Sequence, residues 1–268
     1  CQRIHVDHPL VGRAIRPELV RHHEHLLLSD IRPVEDLGKK ESFEAGDLAD
    51  LEHLNRVTAK VDAIVHLGGL VGTNHTFDDL LKPNIIGAHN VFEAARLNGI
   101  SRVVYASSAH CVGFIKRGAH IDHQTIPRPN GEYAVSKVFG EMAASYYVDN
   151  FNLNILCIRI GYVGDDLTKE RRIRTWVSPR DLVQLIEIGL RNDIGFEVTY
   201  GVSNNPEPFF DNSNALRLGY QPQDNAADFV TDRSFLDQKP NLRTIEEGVV
   251  GGGFAAAGFA GDPKKILE

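Results

Sequence analysis

Near-continuous runs of aliphatic and β-branched residues, alternating with amphipathic stretches, constrain this chain more than any other feature. Runs such as "AIVHL" (63–67) and "RVVYA" (102–106) lack the polar alternation of a half-exposed strand. Strands of that kind need cover on both faces, which a parallel sheet clothed by helices provides. The pattern predicts strands at Arg3–Val6, His25–Asp30, Ser42–Ala45, Asp62–Leu67, Arg102–Ala106, Leu153–Ile160 and Phe196–Tyr200. Helices are predicted between them at Val11–His22, Asp50–Thr58, Asn84–Asn98, Glu132–Asn150 and Pro179–Arg191. Their ends carry suitable signals: Asn98-Gly99 is a helix stop, and Ser178, Pro179 and Asp181 form a helix start. The expected class is α/β, a doubly wound parallel sheet with ligands at the carboxyl ends of its strands. After Tyr200 the pattern weakens. Residues 161–178 and 201–245 are expected to form a small substrate-covering lobe of one domain spanning 1–268, and the Gly/Ala-rich 246–268 a flexible tail.

With 268 residues, 42% of them apolar, the chain can bury one large core. A net charge of −7 with no long basic run argues against nucleic acid or an anionic membrane as partner. No apolar run approaches the roughly 18 residues of a membrane span. No signal peptide stands at the start as given, although Cys1 in place of Met points to processing or trimming. Three cysteines, Cys1, Cys111 and Cys157, lack metal-ligand spacing and read as reduced thiols of a cytoplasmic protein. The "HHEH" cluster, His22 to His25, reads as solvated surface, and no metal site is expected.

The sharpest chemical signal is "YAVSK", which places Tyr133 and Lys137 four apart on one helix face. About 25 residues earlier, "VVYASSAH" ends a buried strand in Ser107 and Ser108. A tyrosine, a lysine one turn on and a strand-end serine form an acid–base set. The ammonium favours phenolate, and the serine holds a substrate oxygen as its proton leaves. The bland alternative is a half-buried aromatic beside a surface lysine. Nucleotide signals stand at successive strand ends. Asp30 closes "LLLSD", 18 residues after Gly12, where a carboxylate accepts from a ribose diol and favours NAD over NADP, with Arg32 nearby. Asp47 in "GDLAD" can meet an adenine amino group, and Gly68-Gly69 in "HLGG" lets backbone approach a ligand closely.

Ser108, "YAVSK", "HLGG", "GDLAD" and "NIIGAHNVFEAAR" together resemble the extended short-chain dehydrogenase/reductases, the NAD-dependent epimerase/dehydratase family with a Rossmann fold. "IRIG", an arginine followed by "TW" (Arg171 to Trp176), "FFDNS" and "LGYQPQDNAADF" narrow the resemblance to the uronate dehydrogenase branch, from about Arg3 to Phe254. That branch oxidises the anomeric hydroxyl of glucuronic or galacturonic acid to an aldarolactone and passes hydride to NAD. The resemblance implies Tyr133 as base, Lys137 lowering its pKa and binding nicotinamide ribose, and Ser108 orienting the hydroxyl. It places Ser108, Ala109, His110, Tyr162 and Arg171 on substrate-contacting positions. Besides Gly12, Asp30, Asp47, Gly68, Gly69 and Lys137, it places Leu10, Val11, Ile31, Leu48, Leu67, Asn84 and Ile160 against NAD. A homo-oligomer is implied, paired through the helices of Asn84 and Tyr133.

The chain departs from that branch at the phosphate turn, where "DHPLVG" is two residues shorter and only Gly12 survives of the family's glycines. Pro9 lacks an N–H there, and Asp7 or His8 brings a side chain to the rim. In the sugar pocket Ala109 replaces an asparagine, Tyr162 a serine and Val71 another serine, for which Thr73 could substitute. Two alternatives therefore stay open. One is a non-catalytic relative that binds NAD weakly; the other is a sugar-nucleotide epimerase or dehydratase using the same triad.

Overall fold

A computed structural model describes residues 3–6, 9–230 and 240–268. Asp7 and His8 of the phosphate turn, and residues 231–239 of the expected lobe, lie outside the described residues. In chain order the first half holds β1 (Arg3–Val6), α1 (Pro9–His22), β2 (His25–Asp30), β3 (Glu41–Ala45), α2 (Leu51–Thr58) and β4 (Ala63–His66). A helix follows that begins as α3 (Phe77–Leu80), widens into a π turn (Leu81–Ile86) and ends as α4 (Gly87–Leu97). Then come β5 (Arg102–Ser108), α5 (Glu132–Phe151), β6 (Asn154–Ile160), α6 (Glu170–Thr175), α7 (Pro179–Arg191) and β7 (Phe196–Gly201). Among the described residues, short helices follow: α8 (Ser213–Arg217), α9 (Ile245–Gly248), α10 (Gly253–Ala256) and α11 (Lys264–Leu267).

The seven strands form one sheet in the order β3-β2-β1-β4-β5-β6-β7, and every pairing is parallel. Alternate residues of β2, β4, β5 and β6 feed two cores, as the pleat requires. Leu26, Leu28, Val65, Val104 and Leu156 pack with Ile15 and Leu19 of α1 and with Leu182, Ile186 and Leu190 of α7. Leu27, Ile64, Val103 and Ile155 pack on the other face with Leu54 and Val57 of α2, Val91 and Phe92 of α4, and Tyr147 of α5. The doubly wound sheet is therefore the observed architecture. Its order reverses between β1 and β4, which opens a crevice at their carboxyl ends.

Three expectations need correction. The helix expected from Asn84 starts at Phe77, because Thr76 and Asp79 form a reciprocal capping box. Pro83, with no N–H to donate, is accommodated in the π turn. The "HHEH" cluster is not all solvated surface, since His23 is buried and pairs with Glu187 of α7, while His25 Nε2 lies 2.7 Å from Ser42 Oγ. The stretch expected as a flexible tail is packed onto the body at its start. Val249 bridges Lys116, Val250 N donates to Ile115 O at 3.0 Å and Gly251 N donates to Gly113 O at 2.8 Å. Glycine makes this approach feasible, because a Cβ on Gly251 would meet Gly113 O at 2.7 Å.

Candidate active site

Strand β5 runs two residues further than expected and carries both serines to the sheet's carboxyl edge. The pleat turns them apart. Ser107 bonds to the carboxylate of Glu141, which is buried in a bidentate pair with Arg159, Nε and Nη2 donating at 2.9 and 2.8 Å. Ser108 Oγ accepts from His110 N at 3.2 Å and lines the same cavity as the Tyr133 phenol. Tyr133 and Lys137 lie on the first turns of α5, both buried. Lys137 Nζ donates to Gly68 O at 3.4 Å and lies 5.1 Å from the centroid of the Tyr105 ring. Burial pushes the Tyr133 phenol above its ordinary pKa, and the Ser108 hydrogen bond opposes that rise. The serine therefore does part of what the lysine was expected to do.

A cavity of about 730 Å³ opens over this set and gathers Leu10, Val11, Leu67, Ser108, Ala109, His110, Tyr133, Lys137, Ile160, Tyr162 and Arg171. Val71 stands at its rim, whereas Thr73 does not line it and cannot replace the missing serine there. Tyr162 bridges Trp176 and lies under Arg172, whose guanidinium carbon is 4.9 Å from the ring centroid. Its bulk occupies a wall where the resemblance expects a small hydroxyl.

The remaining cofactor candidates lie outside the cavity, along the carboxyl edges of β2, β3 and β4. Asp30 Oδ1 accepts from Arg32 N and Asp47 Oδ1 from Ala49 N, each at 2.9 Å, which leaves the second oxygen of each carboxylate for a ligand. Ile31 is exposed beside Asp30, and Leu48 packs against the core with its carbonyl accepting from Asn90 Nδ2 at 3.0 Å. Gly12 lies buried inside the first turns of α1, within the helix expected from Val11. Pro9 starts that helix at the position where its fixed φ is an advantage. Asn84 has its side chain buried and engaged by the protein. Its Oδ1 accepts from Leu70 N at 2.7 Å, and Nδ2 donates to Leu70 O at 3.0 Å and to Ser136 Oγ at 2.9 Å. It braces the loop holding Gly69, whose φ of 129° and 2.8 Å clearance to Asn84 Oδ1 leave no room for a Cβ.

Arg171, on α6, is the most telling charge in the cavity. Its Nε donates to Val250 O at 2.6 Å, while its Nη atoms have no partner among the described residues. Burial, with Arg117 and Arg172 nearby, lowers its pKa to about 10. A half-buried cation with no counter-ion among the described residues is poorly solvated, and a ligand carboxylate in the cavity would relieve it. Next to it, Glu170 is held below the usual carboxylate range. Burial works against this, but Arg117, at 2.5 Å, and Arg174 outweigh it.

The last wall comes from the segment expected to be a tail. Phe254 stacks on His110 with centroids 4.2 Å apart, and Gly252, at φ 62°, packs so tightly on Arg171 that a side chain would collide with it. Asn130 links His110 to this segment. Asn130, Val250, Gly252 and Phe254 were missed from sequence. The only available signal was the run of three glycines before Phe254, which marks close backbone approach as readily as looseness.

Residues 9–164 match the model of the NAD dependent epimerase/dehydratase family. The chain belongs to that family. Within it, the chain is 39% identical over 252 residues to the uronate dehydrogenase of Pseudomonas putida, covering 92% of each. Its structure is similar to that of glucuronic acid dehydrogenase from Chromohalobacter salexigens, with a TM-score of 0.91 and 34% identity over 98% of this chain and 99% of that one. It is also similar to a mutant uronate dehydrogenase from Agrobacterium tumefaciens complexed with NAD, with a TM-score of 0.87 and 35% identity over 95% and 97% of the chains. The family's fold explains why the Tyr133 helix packs beside the end of β5.

Proposed function

We propose that this chain is an NAD-dependent dehydrogenase that oxidises the anomeric hydroxyl of a uronic acid, of the glucuronate or galacturonate kind, to an aldarolactone. One observation carries the reading: Ser108 and Tyr133 share a cavity with Arg171, a half-buried guanidinium whose Nη atoms have no partner among the described residues. Arg171 fits the substrate carboxylate, and Ser108 holds the anomeric oxygen. Tyr133 takes the hydroxyl proton as the carbon–oxygen double bond forms and hydride leaves the same carbon. NAD, when bound, accepts that hydride.

The residues present fit such a cofactor. Asp30 and Asp47 each keep a carboxylate oxygen for the adenosine, Gly68 and Gly69 clear the end of β4, and Lys137 reaches over that end. The identity to uronate dehydrogenases over most of the chain supports this reading against the non-catalytic alternative. The epimerase alternative rests on structures below 25% identity, which speak to the fold alone.

Val135, Phe139, Met142 and Tyr146 leave an exposed apolar stripe along α5, with Leu81 and Ile86 exposed beside it. A homodimer paired through this face is part of the proposal. Among the described residues no helix is long and apolar enough to cross a membrane, and the buried thiols of Cys111 and Cys157 fit a reducing cytoplasm.

The test is NADH absorbance with a panel of uronic acids and neutral aldoses. Glucuronate or galacturonate should be turned over, with a kcat/KM well above that of glucose or galactose. NAD binding without turnover of any uronate would overturn the substrate assignment.

A further inference from the structure

His110 presents a ring to the cavity, and the structure determines which of its nitrogens bears hydrogen. Two neighbouring groups have hydrogen-bonding roles that cannot change. The Ala255 backbone N–H can only donate, and the His110 carbonyl can only accept. The Asn130 amide lies between them. Its oxygen must face Ala255 N, at 3.1 Å, and its nitrogen must face His110 O, at 3.1 Å. That same oxygen lies 3.1 Å from His110 Nδ1. An oxygen there can only accept, so Nδ1 carries the hydrogen.

We propose that Asn130 is a positioning residue that fixes His110 as the Nδ1–H tautomer, so that Nε2 stands at the cavity as an acceptor for a substrate hydroxyl. The Phe254 stack, 14° from parallel, fixes the plane of the ring, and Nε2 has no hydrogen-bond partner among the described residues. Burial and the neighbouring Arg171 lower the imidazole pKa to about 3, which keeps the acceptor available throughout the neutral range. The two ligand-facing groups are then complementary. Arg171 offers only donors, suited to a carboxylate, and His110 offers only an acceptor, suited to a sugar hydroxyl. Ala109, beside it, has no polar group to contribute. The packing explains why Asn130 is so closely held: a Cβ on Gly113 or Gly251 would collide with its side chain.

This role rests on the proposed sugar-acid reading for its substrate, but the tautomer can be read on the resting protein. Long-range ¹⁵N–¹H correlation of histidine-labelled protein, with His110→Gln for assignment, should show Nδ1–H and a bare Nε2. Asn130→Ala should shift the ring toward Nε2–H and raise KM for the uronate about 10-fold, with kcat changed less than 3-fold. Asn130→Asp keeps an acceptor at Nδ1 and should retain the tautomer and recover most of the KM. Nε2–H in the unaltered protein, or Nδ1–H persisting in Asn130→Ala, would overturn the proposal. If Asn130→Ala does not fold, the unaltered protein alone decides. Absence of uronate turnover would sink the functional reading while leaving the tautomer result standing.

Discussion

At the scale of single residues, the chemistry depends on a phenol whose pKa burial raises and a serine hydrogen bond lowers. A high pKa keeps Tyr133 protonated at rest, so proton transfer must be coupled to a bound, reacting substrate. Tyr133→Phe removes the proton acceptor and almost nothing else, since the ring stays buried. Turnover should fall by about 100- to 10,000-fold, with the circular dichroism spectrum and melting temperature little changed. A variant within a few-fold of the unaltered rate would exclude Tyr133 as the base. Sequence brought Ser108, Tyr133 and Lys137 together because they belong to regular elements with fixed spacing, and they line one cavity. It did not expose the partners of His110 and Arg171, because those contacts join residues far apart in the chain, Asn130 to Ala255 and Arg171 to Val250.

At the scale of elements, strands β2 and β5–β7 and helices α2, α5 and α7 were legible from apolar pattern and caps, because burial on both faces leaves little freedom in composition. The π turn was not legible. It arises from Pro83 interrupting a helix that starts earlier, at the Thr76 box. The C-terminal segment was misread for a related reason: glycine permits both looseness and close contact, and composition cannot separate the two. Here the glycine makes close contact, with Gly252 at φ 62° pressed on Arg171. Gly252→Ala brings both a strained left-handed backbone and a collision. It should raise KM for a uronate and lower the melting temperature by about 2–4 °C for each kcal/mol lost. An alanine variant with unaltered KM and stability would show that the segment does not shape the site.

At the scale of the whole molecule, the crevice at the switch between β1 and β4 joins the cofactor edge to the substrate cavity. On the far side of α5, the helix of the catalytic pair presents its exposed apolar stripe. Light scattering coupled to size exclusion should report a dimer of this 268-residue chain, and Met142→Glu with Tyr146→Glu should yield monomer. A monomeric unaltered protein at tens of micromolar would contradict pairing through that face.

The central claim is that a dehydrogenase triad is matched to a carboxylate by one half-buried guanidinium, Arg171. The direct measurement compares kcat/KM for glucuronate and glucose, with NAD saturating, in the unaltered protein and in Arg171→Leu. Loss of a charge-assisted contact should cut the uronate value by about 10- to 100-fold and leave the glucose value nearly unchanged, so the selectivity collapses. Equal losses on both substrates, or preserved preference for the uronate, would contradict the account.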